Sequence, residues 1–290
     1  MADRVQFFSE GIQLAGYLHR PEHGSGRNPG VVLCAGFGST QKGMSQERAS
    51  ELARQGFVAL TLDYRGFGES DGPRGRMIPR QQVTDIRAAI TFLQAQDGVD
   101  PERIGLYGSS FGGANVCYTA GVDERVKAVL SVVGVGQGKA WLRAIRPAWQ
   151  WRQLLDDLAE DAARRATTGQ SKIVDRLDIM TADPATKARA EENLAKSGDS
   201  GIPMPLETAQ AVIDFHPEEV VGNIAPRPIL FIVAERDVLV PNEVTRELFD
   251  RAGEPKRWMV LPGIGHYDAY AQPAATTVAA EASAFFKANL

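Results

Sequence analysis

The stretch Ile104-Gly105-Leu106-Tyr107-Gly108-Ser109-Ser110-Phe111-Gly112-Gly113-Ala114 decides the fold. Its first four residues form a short apolar run, the pattern of a buried strand. Its last residues open a segment, Gly112 to Thr119, that can be a helix. Between them, Gly108-x-Ser110-x-Gly112 has the spacing of a strand–turn–helix elbow. Such an elbow lifts a serine hydroxyl above the carboxyl end of a sheet. The turn is strained, and glycines on both sides let the backbone bend and the helix pack close.

The same pattern occurs a second time, at Gly68-Glu69-Ser70-Asp71-Gly72. There the chain continues as Pro73-Arg74-Gly75, which cannot extend a helix. Ser70 therefore reads as a loop serine. Ser110 is the candidate nucleophile, and Ser109 a residue that shapes the turn.

Working outward, short apolar runs alternate with amphipathic segments. Val5–Phe8 and Ile12–Leu18 flank a turn and read as a hairpin. Val31–Ala35, Phe57–Leu62, Ile104–Tyr107, Ala128–Val133, Ile229–Ala234 and Trp258–Leu261 read as strands. Ser45–Gln55, Gln81–Gln94, Asn242–Asp250 and Ala274–Asn289 read as helices. Continuous apolar strands separated by helices predict an α/β fold with a mostly parallel sheet covered on both faces. From Gln137 to about Phe215 the alternation stops, and the chain is charged, helix-prone and without a clear strand. Asp183-Pro184 reads as a helix start within it. The expected organisation is a core of residues 1–135 and 217–290, with a helical cap of 136–216 over the sheet's carboxyl end.

Composition excludes several classes. With 32 basic and 36 acidic residues the formal charge is −4, which gives no electrostatic reason to bind nucleic acid. No apolar stretch approaches the ~20 residues of a membrane span, and the N-terminus lacks a leader pattern. Two cysteines, Cys34 and Cys117, do not suggest a disulfide framework, so a cytoplasmic protein with free thiols is expected. No metal-ligand spacing and no dinucleotide-binding glycine pattern appear, so neither a metal nor a cofactor is expected.

A serine hydroxyl needs a base in hydrogen-bond reach, and the base needs an orienting acid. The four histidines are His19, His23, His216 and His266. His19 and His23 precede the elbow and are expected at the surface. His216 precedes Pro217 and reads as a junction residue, held as the reserve base. His266 lies in Pro262-Gly263-Ile264-Gly265-His266-Tyr267, directly after the last strand, and is the candidate base. Asp237 follows the strand Ile229–Ala234 and is the candidate acid. Glu235 competes with it, but reads as a solvated partner of Arg236. Negative charge developing on a carbonyl oxygen requires aimed N–H donors. The amides of Phe111, after the nucleophile, and Phe37, in Gly36-Phe37-Gly38, are the expected oxyanion donors.

With these residues assembled, the chain resembles the α/β-hydrolase superfamily, most of all its dienelactone-hydrolase-like and related serine-esterase branch. The resemblance also rests on Asp63-Tyr64-Arg65-Gly66-Phe67-Gly68-Glu69-Ser70, on Pro226-Arg227-Pro228 and on Gly265-His266-Tyr267-Asp268-Ala269-Tyr270. It assigns Ser70 to a structural loop after the fourth strand. It implies an eight-stranded sheet, a cap between strands six and seven, and hydrolysis of a small acyl substrate through an acyl-serine. Ester, thioester, lactone and amide bonds all fall within that range. A carbon–carbon bond hydrolase, an acyltransferase and a non-catalytic ligand receptor are the competing readings, and a homodimer is compatible with it. Two features depart from the branch. Dienelactone hydrolases use cysteine where Ser110 stands, and many relatives carry His-Gly where this chain has Ala35-Gly36.

In the cap, Trp141, Trp149 and Trp151 read as cap-core residues, with an aromatic pocket, joined by Tyr267 beyond the cap, as the alternative. On a helix Trp149 and Trp151 point about 200° apart, so they cannot line one pocket together. Arg143, Arg146 and Arg152 read as a solvated helix face, with carboxylate clamping as the alternative.

Overall fold

Each strand of the central sheet buries both of its faces, and that determines how the helices lie. In Val31-Val32-Leu33-Cys34 the odd residues join one apolar cluster and the even residues another. Side chains alternate across a strand, so both sides of the sheet must be covered. A computed structural model describes residues 2–22, 26–42, 44–181, 183–184, 186–188, 192 and 202–290.

The sheet has eight strands: β1 (Ala2–Ser9), β2 (Ile12–His19), β3 (Asn28–Cys34), β4 (Val58–Leu62), β5 (Val99–Ser109), β6 (Val126–Val132), β7 (Ile229–Ala234) and β8 (Lys256–Leu261). Their order is β1-β2-β4-β3-β5-β6-β7-β8. The opening hairpin pairs antiparallel, and all other neighbours from β4 to β8 pair parallel. Helices α1 (Met44–Arg54) and the closing helix Ala274–Asn289 cover one face. Helices α2 (Pro79–Gln94), α3 (Phe111–Val122) and Asn242–Arg251 cover the other. Strand β5 is longer than its apolar run: Val99 and Asp100 pair with Asn28 and Pro29, and residues 101–103 are passed over at a register shift before Ile104 pairs with Gly30.

Between β6 and β7 lie α4 (Gly138–Ala144), α5 (Ala148–Thr168), the single turn α6 (Arg176–Ile179) and α7 (Glu207–Ile213). The two later helices named above are thus α8 (Asn242–Arg251) and α9 (Ala274–Asn289). This insertion does contain a strand pair, contrary to expectation: Ile173–Val174 pairs antiparallel with Met204–Pro205. Two residues a side are too short for periodicity to reveal. Asp183 behaves as a helix start, its carboxylate accepting from the Thr186 amide at 3.1 Å. Most of the segment that follows lies outside the described residues. Trp141, Leu154, Ile179, Met204 and Phe215 of the insertion share an apolar cluster with β3, α2 and α3, so insertion and sheet are packed through one core.

His19 corrects an expectation of exposure. It is buried at the end of β2 beneath α1, where its ring bonds Gln46 at 2.8 Å and Ser50 at 3.1 Å. His23 lies outside the described residues.

Candidate active site

Ser110 stands between β5 and α3 with φ 53° and ψ −123°, a left-handed backbone that a non-glycine residue adopts only under constraint. The constraints are visible. Its amide donates to the Val132 carbonyl at 3.0 Å, and its carbonyl accepts from Gly113 and Val135. Gly112 is obligatory here: a Cβ on it would come within 2.3 Å of the Cys34 carbonyl oxygen. Helix α3 can thus start directly against β3.

Three side chains converge above the carboxyl ends of β5, β7 and β8. Ser110 Oγ lies 3.1 Å from His266 Nε2, and His266 Nδ1 lies 2.7 Å from Asp237 Oδ2. His266 is 4% exposed and Asp237 7%. A carboxylate only accepts, so Nδ1 carries the ring proton and Nε2 is left to accept from the Ser110 hydroxyl. Asp237 is itself fixed by the Leu239 and Val240 amides, which donate to Oδ1 at 3.1 and 2.7 Å. Tyr267 and Tyr270 meet the imidazole edge-on, with ring centroids 5.3 and 5.9 Å away.

The competing acid takes another role. Glu235 is exposed and accepts from the Gly263 amide at 2.6 Å, tying the loop that carries His266 rather than pairing with Arg236. His216 bonds Glu218 at 2.9 Å and Gln137 at 3.3 Å, at the junction of insertion and core. Ser70 is buried within its loop, donating to the Asp63 carbonyl at 2.6 Å and accepting from the Ala15 amide at 2.8 Å.

The loop Gly36–Gly38 passes close over the serine. A Cβ on Gly36 would lie 3.1 Å from Ser110 Cβ and 3.5 Å from its Oγ. Phe111 is the first residue of α3, where an N–H has no intrahelical acceptor. Among the described residues the Phe37 amide donates to no backbone carbonyl. Two amides are therefore free at the two sides of Ser110.

Trp141 packs on both of their side chains, with centroids 5.7 Å from Phe37 and 5.7 Å from Phe111. Its indole N–H donates to the Leu239 carbonyl at 2.8 Å. With no exposed surface, Trp141 supports the site from behind instead of lining a pocket. Trp149, 69% exposed, faces solvent from the first turn of α5 and likewise walls no pocket. Trp151 packs partly on the core, and Tyr267 alone of the proposed pocket residues sits against the imidazole.

Arg146 departs from the solvated face expected of it. It is buried and donates to the carbonyls of Leu142 at 3.0 Å, Asp178 at 2.9 Å and Ile179, bracing α4 against α6. That burial lowers its pKa to about 10. Arg176, which sequence reasoning missed, is buried over the same loop, its Nη1 reaching the Phe37 carbonyl at 3.5 Å. Nothing local in Asp175-Arg176-Leu177-Asp178 distinguishes it from a surface arginine.

Among the described residues no helix is long and apolar enough to cross a membrane. A family model described as serine aminopeptidase, S33, matches residues 27–267. The chain is 30% identical to an uncharacterised 31.7 kDa protein of Escherichia coli encoded in the traX-finO intergenic region, over 97% of both chains. It is 28% identical to the quorum-quenching protein AidA of Acinetobacter baumannii, over 98% of this chain and 93% of that one. The crystal structure of the hypothetical protein PA2218 of Pseudomonas aeruginosa superposes with a TM-score of 0.88 at 25% identity, covering 100% of this chain and 94% of that one. A match of that extent on this sheet puts the chain in the α/β-hydrolase superfamily, as a member of its serine aminopeptidase S33 family.

Proposed function

We propose that this α/β-hydrolase is a serine esterase-type enzyme that cleaves an ester-like bond of a small acyl substrate through an acyl-Ser110 intermediate. The observation that carries the reading is the chain of contacts from Ser110 Oγ to His266 Nε2, 3.1 Å, and from His266 Nδ1 to Asp237, 2.7 Å. Ser110 Oγ attacks the carbonyl carbon as its proton passes to His266 Nε2. The tetrahedral oxyanion is held by the Phe37 and Phe111 amides, each worth about 10²–10³ in rate in comparable sites. Collapse breaks the bond to the leaving group, which takes the proton from His266. Water then attacks the acyl-serine, giving its proton to the same nitrogen; the bond from the acyl carbon to Ser110 Oγ breaks as His266 returns that proton to Oγ, and the acid departs. Asp237 stays ionised throughout and steadies the imidazolium.

Labelling with a fluorophosphonate, read by intact mass, tests this. One adduct on the wild-type chain and none on Ser110→Ala supports an activated Ser110. An unlabelled wild type that also fails to hydrolyse p-nitrophenyl esters would reject the reading.

A further inference from the structure

Four arginines are buried among the described residues: Arg48, Arg65, Arg146 and Arg176. Each of the first three has at least two acceptors at 3.0 Å or less. Arg48 pairs with Glu51 at 2.6 Å and the Ala275 carbonyl at 3.0 Å. Arg65 takes Asp85 through two nitrogens, at 2.9 and 2.7 Å, together with Glu10 and Ser9. Arg146 has the three carbonyls described above.

Arg176 is the exception. It is 6% exposed, yet its side chain makes one contact among the described residues, the 3.5 Å approach to the Phe37 carbonyl. It forms no ion pair with a carboxylate of the described residues, although a buried cation without a partner is unfavourable. Nor are its remaining donors sealed in protein. The sealed, unpaired polar atoms are Asn115 Oδ1, Ser131 Oγ, Thr208 Oγ1, Glu218 Oε2 and Tyr270 Oη, and no Arg176 nitrogen is among them. Among the described residues those donors thus keep a little accessible surface while lacking a protein acceptor.

The Arg176 side chain adjoins the loop that passes over Ser110. The Arg176 stem lies against Gly38, where a Cβ would come within 2.9 Å of its Cδ. Gly36, at the other end of the same three-residue loop, abuts Ser110. Five donors in a planar fork, short of acceptors, suit a carboxylate, which takes two parallel N–H bonds. A phosphate dianion would ask for more than one cation.

We propose that Arg176 is the subsite for a substrate carboxylate, so that the enzyme prefers acyl substrates carrying a second, anionic carboxyl group beyond the scissile carbonyl. This rests on the acyl-Ser110 reading, but its binding half is testable without catalysis. In Ser110→Ala, adipate should bind at least ~10-fold more tightly than hexanamide, by calorimetry. In Ser110→Ala/Arg176→Gln that margin should vanish, and in Ser110→Ala/Arg176→Lys part of it should return. For turnover, wild-type kcat/KM for the mono-p-nitrophenyl esters of glutarate, adipate and pimelate is compared with that for neutral p-nitrophenyl hexanoate. Arg176→Gln should cut the best anionic-to-neutral ratio by ~10- to 100-fold, mainly through KM. Equal affinity of Ser110→Ala for adipate and hexanamide would overturn the subsite, as would a margin that survives Arg176→Gln. Adipate binding through Arg176 without any ester turnover would keep the subsite and reject the hydrolase reading instead.

Discussion

The indole N–H of Trp141 donates to the Leu239 carbonyl at 2.8 Å, joining the insertion to the loop that holds Asp237. Leu239 also gives its amide to Asp237 Oδ1, so one residue is bonded on both sides, to the insertion through its carbonyl and to the acid through its amide. The same indole packs on Phe37 and Phe111. Insertion, the Asp237 loop and the Gly36–Gly38 loop are thereby positioned through a single side chain.

Trp141→Phe keeps an aromatic ring but leaves the Leu239 carbonyl buried without its donor. An orphaned buried acceptor costs about 1–3 kcal/mol, and the denaturant midpoint should fall accordingly. Because the Asp237 loop loses a tether, kcat for a p-nitrophenyl ester should fall by about tenfold, equivalent to ~1.4 kcal/mol of barrier. A loss of stability with unchanged kcat would reduce Trp141 to packing alone.

Asp237→Asn tests the proton arrangement. Oδ1 already accepts from Leu239 and Val240, so the asparagine oxygen should take that place and turn its NH₂ toward His266 Nδ1. An NH₂ only donates, which forces the ring proton onto Nε2, the nitrogen that must accept from Ser110. The expected loss in kcat is on the order of 10⁴, as for the wrong tautomer in serine proteases. Thermal stability should change little, since shape and backbone bonds are retained. Activity within tenfold of wild type would remove Asp237 from the role assigned to it.

How much of this was legible in the sequence depends on how local the cause is. Strand β7 and helix α9 match their expected bounds to the residue, because prolines flank them: Pro228 precedes the strand and Pro273 the helix. Ser110, His266 and Asp237 meet because each follows a strand that ends on the same side of the sheet, and chain order carries that information. What escaped was long-range. The burial of His19 depends on α1 closing over β2, and the Trp141–Leu239 bond spans 98 residues. Arg146 and Arg176 owe their burial to how the insertion folds back, for which a charged helix-prone segment gives no periodic signal. The branch within the superfamily was not legible either. The elbow and the Asp63–Ser70 loop are sheet-end architecture, shared by enzymes of many specificities.

Ser70→Ala separates the two glycine-flanked serines. Ser70 Oγ satisfies both the Ala15 amide and the Asp63 carbonyl, so the variant should lose about 1–3 kcal/mol of stability. Its fluorophosphonate stoichiometry should stay at one per folded chain. A folded Ser70→Ala protein that no longer takes the label would make Ser70, not Ser110, the reactive serine.

His19 makes the fold acid-sensitive. Burial lowers its pKa below the usual 6.5, with the bond to Gln46 opposing that shift. Below about pH 6.5 the unfolded chain therefore takes up a proton that the folded chain refuses, so stability present at neutral pH is lost as pH falls toward the folded-state pKa. One proton bounds the slope at about 1.4 kcal/mol per pH unit. Urea midpoints between pH 8 and pH 5.5 should accordingly fall less in His19→Gln, which keeps polar contact near Gln46 and Ser50 but does not titrate. Parallel slopes in the two proteins would transfer the acid sensitivity to other groups, because only the difference between the curves belongs to His19.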